Sequence, residues 1–180
     1  LLADFSTFYM ITRNQQVSKF SDNGLGRYTA NAGKSTSCGL ELSLRTNITD
    51  HWSIDASYGY THSKFKDYLT NRKSYDKTGA VTLVPIDYSG NYVPFAPQQT
   101  FSIGTQYVVQ LPERFLVKNL TFHVDYSGVG RTYWTELNDV YQKSYGLLNG
   151  RLSAQVGKLL QIDFWGRNIA NKDYATFYFD

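Results

Sequence analysis

Gly33, Lys34 and Ser35 stand together in the segment "NAGKST", and these residue types occur in loops that cradle phosphate groups. A Walker A loop also requires a second glycine, five positions before the first, and that position holds Tyr28. The nucleotide-binding pattern therefore fails, and we interpret Gly33 as a residue at the entry to a strand.

The other residue types that carry chemistry are scattered along the chain. His51, His62 and His123 show no metal-ligand spacing, and a single cysteine excludes an internal disulfide and a multi-cysteine metal site. No Gly-x-Ser-x-Gly nucleophile motif is present. We expect the charged residues of the polar strand faces to pair across strands instead of acting as acids and bases, namely Glu41, Arg45, Asp55, Asp125, Arg151, Asp163 and Arg167. The sequence thus predicts no enzyme, no cofactor and no metal site.

Apolar and polar residues alternate along most of the chain, which indicates strands with two different faces. In "GLELSLR", for example, Leu40, Leu42 and Leu44 share one face, while Trp165 is the main exception to this alternation elsewhere. Aromatic residues make up 16% of the 180 residues, and they favour pleated surfaces. The net charge of +3 is spread out, which argues against a nucleic-acid partner. We predict an all-β, antiparallel up-and-down meander of about seven strands.

The predicted links alternate between long polar excursions, at 18–33, 65–92 and 128–145, and short turns. If neighbouring strands pair antiparallel, all the long links lie at one end of the sheet. This asymmetry favours a partial transmembrane β-barrel whose apolar face meets lipid and whose polar face lines the lumen. Aromatic residues near strand ends would then form interfacial girdles: Tyr9, Tyr60, Tyr68, Tyr107, Tyr126, Tyr133 and Trp134. A soluble β-barrel or β-sandwich that binds a ligand or partner is the alternative.

Three segments resemble TonB-dependent outer-membrane receptors, in the order that this family shows. They are "NAGKSTSCGLELSL" at 31–44, "YVPFAPQQTFSIGTQY" at 92–107 and "WGRNIANKDY" at 165–174. The resemblance implies that residues 1–180 are a C-terminal segment of the barrel. It also implies that the plug domain, the TonB box and a closing strand lie outside these residues. On this view "NIANKDY" is the turn after the next-to-last strand, with Asn168 and Asn171 bonding the local backbone.

The resemblance further implies uptake of a scarce nutrient of the siderophore, cobalamin or glycan class across the bacterial outer membrane. The implied partners are outer-membrane lipid, the plug and the remaining strands of the same barrel, the TonB complex and the nutrient. Ligand contacts in this family come partly from the external loops, here 66–92 and 131–143. The candidate ligand-binding residues are the aromatic and cationic side chains of these loops: Tyr68, Arg72, Lys73, Tyr75, Tyr88, Tyr92, Tyr133 and Trp134.

Overall fold

A computed structural model describes residues 1–20, 27–75, 79 and 81–178; within these ranges the side chains of 17–20, 27, 28, 30, 32, 73, 75, 81 and 83 lie outside the description. Strands joined by turns and loops make up the described residues, and no helix that could cross a membrane is found among them. The strands are β1 (Leu2–Phe20), β2 (Arg27–Asn47), β3 (Trp52–Asp67), β4 (Leu69–Tyr75), β5 (Val81–Asp87), β6 (Gln99–Gln110), β7 (Val117–Val129), β8 (Thr132–Tyr133), β9 (Tyr141–Gln142), β10 (Tyr145–Val156) and β11 (Leu160–Gly166).

Seven of these strands form one antiparallel sheet in the order β1-β2-β3-β6-β7-β10-β11. Each strand pairs with the next main strand along the chain, and β1 and β11 are the two edges of the open sheet. The prediction of an antiparallel meander of about seven strands is confirmed.

Most of the apolar residues of the seven strands fall on one face because the pairing register aligns them. Phe5, for example, lies opposite Leu42, which lies opposite Tyr58, and the same row continues to Phe101. Phe8, Met10 and Trp165 are exceptions on the opposite face, where they pair with Gly39, Ser37 and Arg151. The apolar face is exposed: Phe5 is 66% accessible, and no second layer covers the face in the part of the chain that the structure describes. A soluble barrel or sandwich would bury these side chains, so the arrangement favours the lipid-facing alternative.

The opposite face carries hydroxyl, amide and carboxylate groups that bond across strands. Asn149 Nδ2 donates to Asp125 Oδ2 at 2.6 Å, and the Ser153 hydroxyl donates to Asp163. The cross-strand ion pairs expected here do not form among the described residues, although Arg45 lies directly opposite Asp55 in the register. The Asp55 carboxylate instead lies over Gly104, while Asn149 and Ser153 bond the carboxylates of Asp125 and Asp163.

Every long connection lies at one end of the sheet and every short turn at the other, as predicted. Two of the long connections contain hairpins of their own, formed by β4 with β5 and by β8 with β9. The predicted long link at 18–33 is wrong at 18–20 and 27–33, because β1 and β2 stay paired as far as Phe20 and Arg27. Its central part, 21–26, lies outside the described residues. A long two-stranded extension lets each strand satisfy the other's backbone groups, so polar side chains do not end the pairing.

Gly33 lies inside β2 and not at its entry, which corrects our interpretation of "NAGKST". Its φ is +24°, and the pairing with β3 shifts between Lys34 and Ser35, which defines a β-bulge. A Cβ atom at Gly33 would overlap the Asp67 carbonyl group. The glycine is therefore required by a close backbone approach within the sheet.

The segment after β11 forms the predicted asparagine turn. Asn168 and Asn171 have φ values of +49° and +50°, and Asn171 N donates to Asn168 O at 2.9 Å. The Asn168 side chain accepts from Lys172 N at 2.8 Å and donates to Lys172 O at 3.0 Å. Beyond the turn, the Tyr174 ring stacks on Tyr145 of β10 at 4.5 Å between centroids.

Candidate functional site

Two side-chain groups occupy the long-loop end of the sheet, one on each face. On the polar face, Phe65 is fully buried and Tyr68 is 1% exposed; their rings lie 4.8 Å apart, with Tyr88 and Val93 packed around them. Phe65 belongs to the polar face because it lies two residues beyond Ser63, which pairs with Ser37 of that face. This small core fixes the base of the β4–β5 hairpin above the polar face.

The second group lies on the apolar-face side, and we name it the rim tyrosine row: Tyr92, Tyr133 and Tyr141. Tyr92 and Tyr133 are stacked at 5.3 Å and 15°, and Tyr133 meets Tyr141 edge-on at 5.8 Å. Lys64 Nζ lies 4.6 Å from the Tyr92 ring centre, and Arg131 Cζ lies 4.9 Å from that of Tyr141. The row thus carries a cation beside each of its terminal rings.

The side on which this row lies follows from the register of β3. His62 and Lys64 continue the alternation of Tyr60, which belongs to the apolar face, and they pair with Cys38 and Thr36 of β2 without a shift. Tyr92 forms a bridge with Lys64, and its ring meets that of His62 at 5.5 Å. Residues bridged across strands share a face, so the row stands above the apolar face.

Two asparagine side chains fasten the β5–β6 connection to the β8–β9 hairpin. Asn138 Oδ1 accepts from Tyr92 N at 2.7 Å, while its Nδ2 donates to Tyr92 O and to Thr135 O, both at 3.0 Å. Asn91 Nδ2 donates to Glu136 O at 2.8 Å. Asn138 has a φ of +63°, a conformation that asparagine tolerates better than most residues. We call these bonds the asparagine clamp.

Burial, hydrogen bonds and nearby charges shift the pKa values of three loop side chains. Burial raises the pKa of Tyr88, and the nearby Glu136 carboxylate raises it further. The hydrogen bond from Arg131 to the Tyr133 hydroxyl raises the pKa of the guanidinium. The Ser89 hydroxyl and then the Ser89 amide lower the pKa of Asp87 at the end of β5. The Arg131 guanidinium therefore stays charged at every physiological pH.

The structure separates the predicted ligand-binding residues instead of gathering them. Tyr68 and Tyr88 lie on the polar-face side, Tyr92 and Tyr133 lie in the rim tyrosine row, and Trp134 packs against Phe95 at 5.5 Å. Arg72 is exposed on β4, close enough to Tyr88 to affect its pKa. The side chains of Lys73 and Tyr75 lie outside the described residues. Ligand contact by any of these eight residues stays a prediction.

Tyr68 also does not belong to an aromatic girdle, which corrects that part of the sequence interpretation. The chain leaves β3 at Asp67, and Tyr68 turns onto Phe65 and becomes buried. Girdle residues must be accessible to the lipid interface. Tyr9 and Tyr107 on the apolar face meet this requirement, since they are 67% and 50% exposed, whereas the buried Tyr68 does not.

The sequence analysis missed Lys64, Arg131, Tyr141 and Asn138. Lys64 was detectable in principle, because extending the period-two pattern of β3 beyond His62 puts a lysine on the apolar face, which marks the end of the apolar band. The other three residues come together only through loop contacts. Among the described residues, no group of three or more acidic, histidine or cysteine side chains has the arrangement of a metal site.

A family model described as "TonB dependent receptor-like, beta-barrel" matches residues 1–169 of the chain. A protein of Acinetobacter baumannii named probable TonB-dependent siderophore receptor PiuA is 30% identical over 148 residues, which cover 82% of this chain and 18% of that protein. The ferrioxamine receptor of Yersinia enterocolitica is 28% identical over 177 residues, covering 95% of this chain and 21% of the receptor. The pesticin receptor of Yersinia pestis is 25% identical over 172 residues, or 96% of this chain and 22% of the receptor.

Solved structures share the same architecture. The ferric yersiniabactin uptake receptor FyuA from Yersinia pestis superposes with a TM-score of 0.75 at 23% identity, over 99% of this chain and 24% of that structure. The siderophore receptor PiuA from Acinetobacter baumannii superposes with a TM-score of 0.67 at 25% identity, over 96% of this chain and 22% of that structure. The chain spans about a fifth of the length of the curated relatives that it matches. With its open seven-stranded meander, its exposed apolar face and a family match over nearly its whole length, the chain belongs to the β-barrel family of TonB-dependent receptors.

Proposed function

We propose that this chain is the C-terminal part of the barrel wall of an outer-membrane transporter that takes up a ferric siderophore with energy from TonB. The observation that carries the proposal is the sidedness of the sheet: one exposed apolar face, one hydrogen-bonded polar face, and every long connection at the same end. Such a sheet suits a wall with lipid on one side and a polar lumen on the other. The plug domain and the TonB box would come from other parts of the full-length receptor.

The siderophore class is preferred over cobalamin and glycans because of the relatives. Their names refer to siderophores, ferrioxamine and ferric yersiniabactin, although each name describes only that relative. The candidate side chains suit such ligands, since tyrosine rings stack on planar or apolar groups and arginine pairs with carboxylates.

We call the long-loop end of the sheet the mouth. Within this proposal, the ligand contacts belong to the polar-face side of the mouth. Tyr88 is half-buried there, and Arg72 is exposed nearby. Tyr68 supports Tyr88 from below, with the two rings 5.3 Å apart. Tyr92 and Tyr133 stand over the apolar face, where a ligand inside the lumen would not reach them.

The test uses the full-length receptor in a strain from which its gene has been deleted. Uptake of radioactive iron supplied as ferrioxamine or ferric yersiniabactin is measured for the wild type, Tyr88→Ala and Arg72→Ala. Leu159→Ala is the control, because Leu159 is 99% exposed in the short turn at the opposite end. We expect each mouth variant to raise the half-saturating siderophore concentration about fivefold, while the control leaves it unchanged.

Three results would contradict parts of the proposal. Uptake of cobalamin or a glycan in place of both iron complexes would replace the siderophore class. Equal uptake by strains with and without the TonB complex would remove the energy source. Normal saturation by both mouth variants would exclude Tyr88 and Arg72 as ligand contacts.

A further inference from the structure

The rim tyrosine row lies at the height where a membrane interface would cross the sheet. Trp52 begins β3 at the short-turn end of the apolar face, where it pairs with Tyr107, and Lys64 is twelve residues further along the same face. With a rise of about 3.3 Å per residue and a strand tilt of about 40°, the two residues are separated by roughly 30 Å along the barrel axis. A bilayer hydrocarbon core is about 30 Å thick. If Trp52 marks one interface, Lys64 and the row beside it mark the other.

The row also carries positive charge that no described group neutralises. Within the ranges that the structure describes, neither Lys64 nor Arg131 forms an ion pair with a carboxylate. Both cations lie over tyrosine rings, which attract them but leave their outer hydrogen-bond donors available. Two such cations on the lipid side of a sheet, at interface height, complement an anionic group that belongs to the membrane itself.

We propose that Lys64, Arg131 and the rim tyrosine row bind a phosphorylated lipid headgroup in the outer leaflet. Lysine and arginine supply the charge-assisted donors, and arginine can donate two parallel bonds to phosphate oxygens. The three tyrosine rings form the amphipathic platform that suits the border between acyl chains and headgroups. This inference rests on the proposed outer-membrane function, because only there does the apolar face meet lipid.

The asparagine clamp gives this site a fixed shape. Lys64 belongs to β3, Tyr92 to the β5–β6 connection, and Tyr133 and Tyr141 to the β8–β9 hairpin. Asn138 holds the Tyr92 backbone to the hairpin through both atoms of its side-chain amide. The bound headgroup would in turn connect β3 to the same hairpin, so lipid binding would stiffen two of the long connections at the mouth.

The experiment measures binding of phosphorylated lipid A, in mixed micelles, to the purified full-length receptor by native mass spectrometry. The test variant combines Lys64→Gln and Arg131→Gln, which keeps long polar side chains and removes both charges. The matched control combines Arg114→Gln and Lys118→Gln, the same charge change at the short-turn end of the sheet. A third variant, Lys64→Arg with Arg131→Lys, keeps both charges in place.

We expect the test variant to bind phosphorylated lipid A about 30-fold more weakly, since each cation near an anionic surface contributes about fivefold. The control and the charge-conserving variant should bind as the wild type does. Lipid A without phosphate should bind weakly and equally to all four proteins. Equal binding of the phosphorylated lipid to the wild type and the test variant overturns the inference. Displacement of the lipid by millimolar inorganic phosphate also overturns it, because the site would then be specific for free phosphate.

Iron uptake by the same variants separates this inference from the proposed function. If the test variant binds the lipid as the wild type does and takes up iron normally, the lipid site is rejected and the transport proposal stands. Wild-type receptor that binds the lipid through both cations but supports no siderophore uptake rejects the transport proposal alone.

Discussion

Asn138 offers the sharpest test of how the mouth is held together. Its side chain makes three hydrogen bonds, accepting from Tyr92 N at 2.7 Å and donating to Tyr92 O and Thr135 O at 3.0 Å. In Asn138→Asp the acceptor bond remains, but both donor bonds are lost and a carboxylate oxygen faces two carbonyl oxygens. With about 1 kcal/mol for each partly buried bond, the free energy that holds the clamp closed should fall by about 2 kcal/mol.

Two further substitutions separate the hydrogen bonds from the backbone conformation. Asn138→Ala loses all three bonds and places at a φ of +63° a residue that tolerates this conformation less well than asparagine. We therefore expect the free energy that holds the clamp closed to fall by about 4 kcal/mol. Asn138→Gly loses the same bonds without the conformational cost, and it should fall between the other two variants. Asn171→Asp is the control, because Asn171 has a φ of +50° and lies in the turn after β11, outside the clamp.

Amide hydrogen exchange of the full-length receptor measures the opening of the clamp at the Tyr92 amide. A loss of 2 kcal/mol corresponds to about 30-fold faster exchange when opening is local and closing is fast. The global unfolding transition should move little, because the strands of the main sheet do not depend on the clamp. Unchanged exchange in Asn138→Asp would refute the role of the amide donor, and slower exchange in Asn138→Gly than in the wild type would show that backbone strain outweighs the hydrogen bonds.

Three other predictions follow from the same structure. Gly128→Ala would push a Cβ atom into the Phe101 ring, whereas a Cβ atom at Gly150 would meet its neighbours at 3.4 Å or more. We expect Gly128→Ala to lower the free energy of unfolding, measured in urea, by about 1 kcal/mol more than Gly150→Ala does. Equal effects of the two substitutions would exclude this close approach. Phe65→Ala should leave a cavity under Tyr68 and lower the free energy of local unfolding of the β4–β5 hairpin by about 3 kcal/mol, so proteolysis within this hairpin should be faster. Phe115→Ala, at a 46% exposed position, should not change the rate of this proteolysis. The pKa of Asp87 is lowered below 3.8 in the folded loop, so its bonds to Ser89 stabilise the turn above that pH and are lost as the pH falls further. Exchange of the Ser89 amide, corrected for intrinsic rate, should therefore rise below pH 3.8 in the wild type and show no such transition in Asp87→Asn.

The main sheet was predictable because its strands alternate with a period of two over most of their length. That period assigns each of Leu40, Leu42 and Leu44 to one face whatever their partners are, and the antiparallel register then aligns the faces of neighbouring strands. The extent of the strands was less predictable. The paired ends of β1 and β2 are polar, and backbone pairing continues there without the apolar pattern that reveals a strand.

The candidate site was predicted by residue type but not by arrangement. Loop sequences reveal which aromatic and cationic residues are present, yet they do not show that Tyr68 is buried on Phe65 while Tyr92 stacks on Tyr133 over the other face. The stacking of Tyr92 on Tyr133 depends on contacts between residues more than forty positions apart, such as those of Asn138 with Tyr92, which are 46 positions apart.

The sequence by itself determined an all-β chain, the two chemically distinct faces of its strands, the alternation of long and short connections and the asparagine turn after β11. Each of these features depends on neighbouring residues and on the fixed period of a strand. Only the tertiary structure decided which loop residues meet, which face each tyrosine joins, and where the two cations of the rim lie. Side chains of the loops are positioned by the hairpins and by the asparagine clamp, and these bring together parts of the chain that have no local pattern in common.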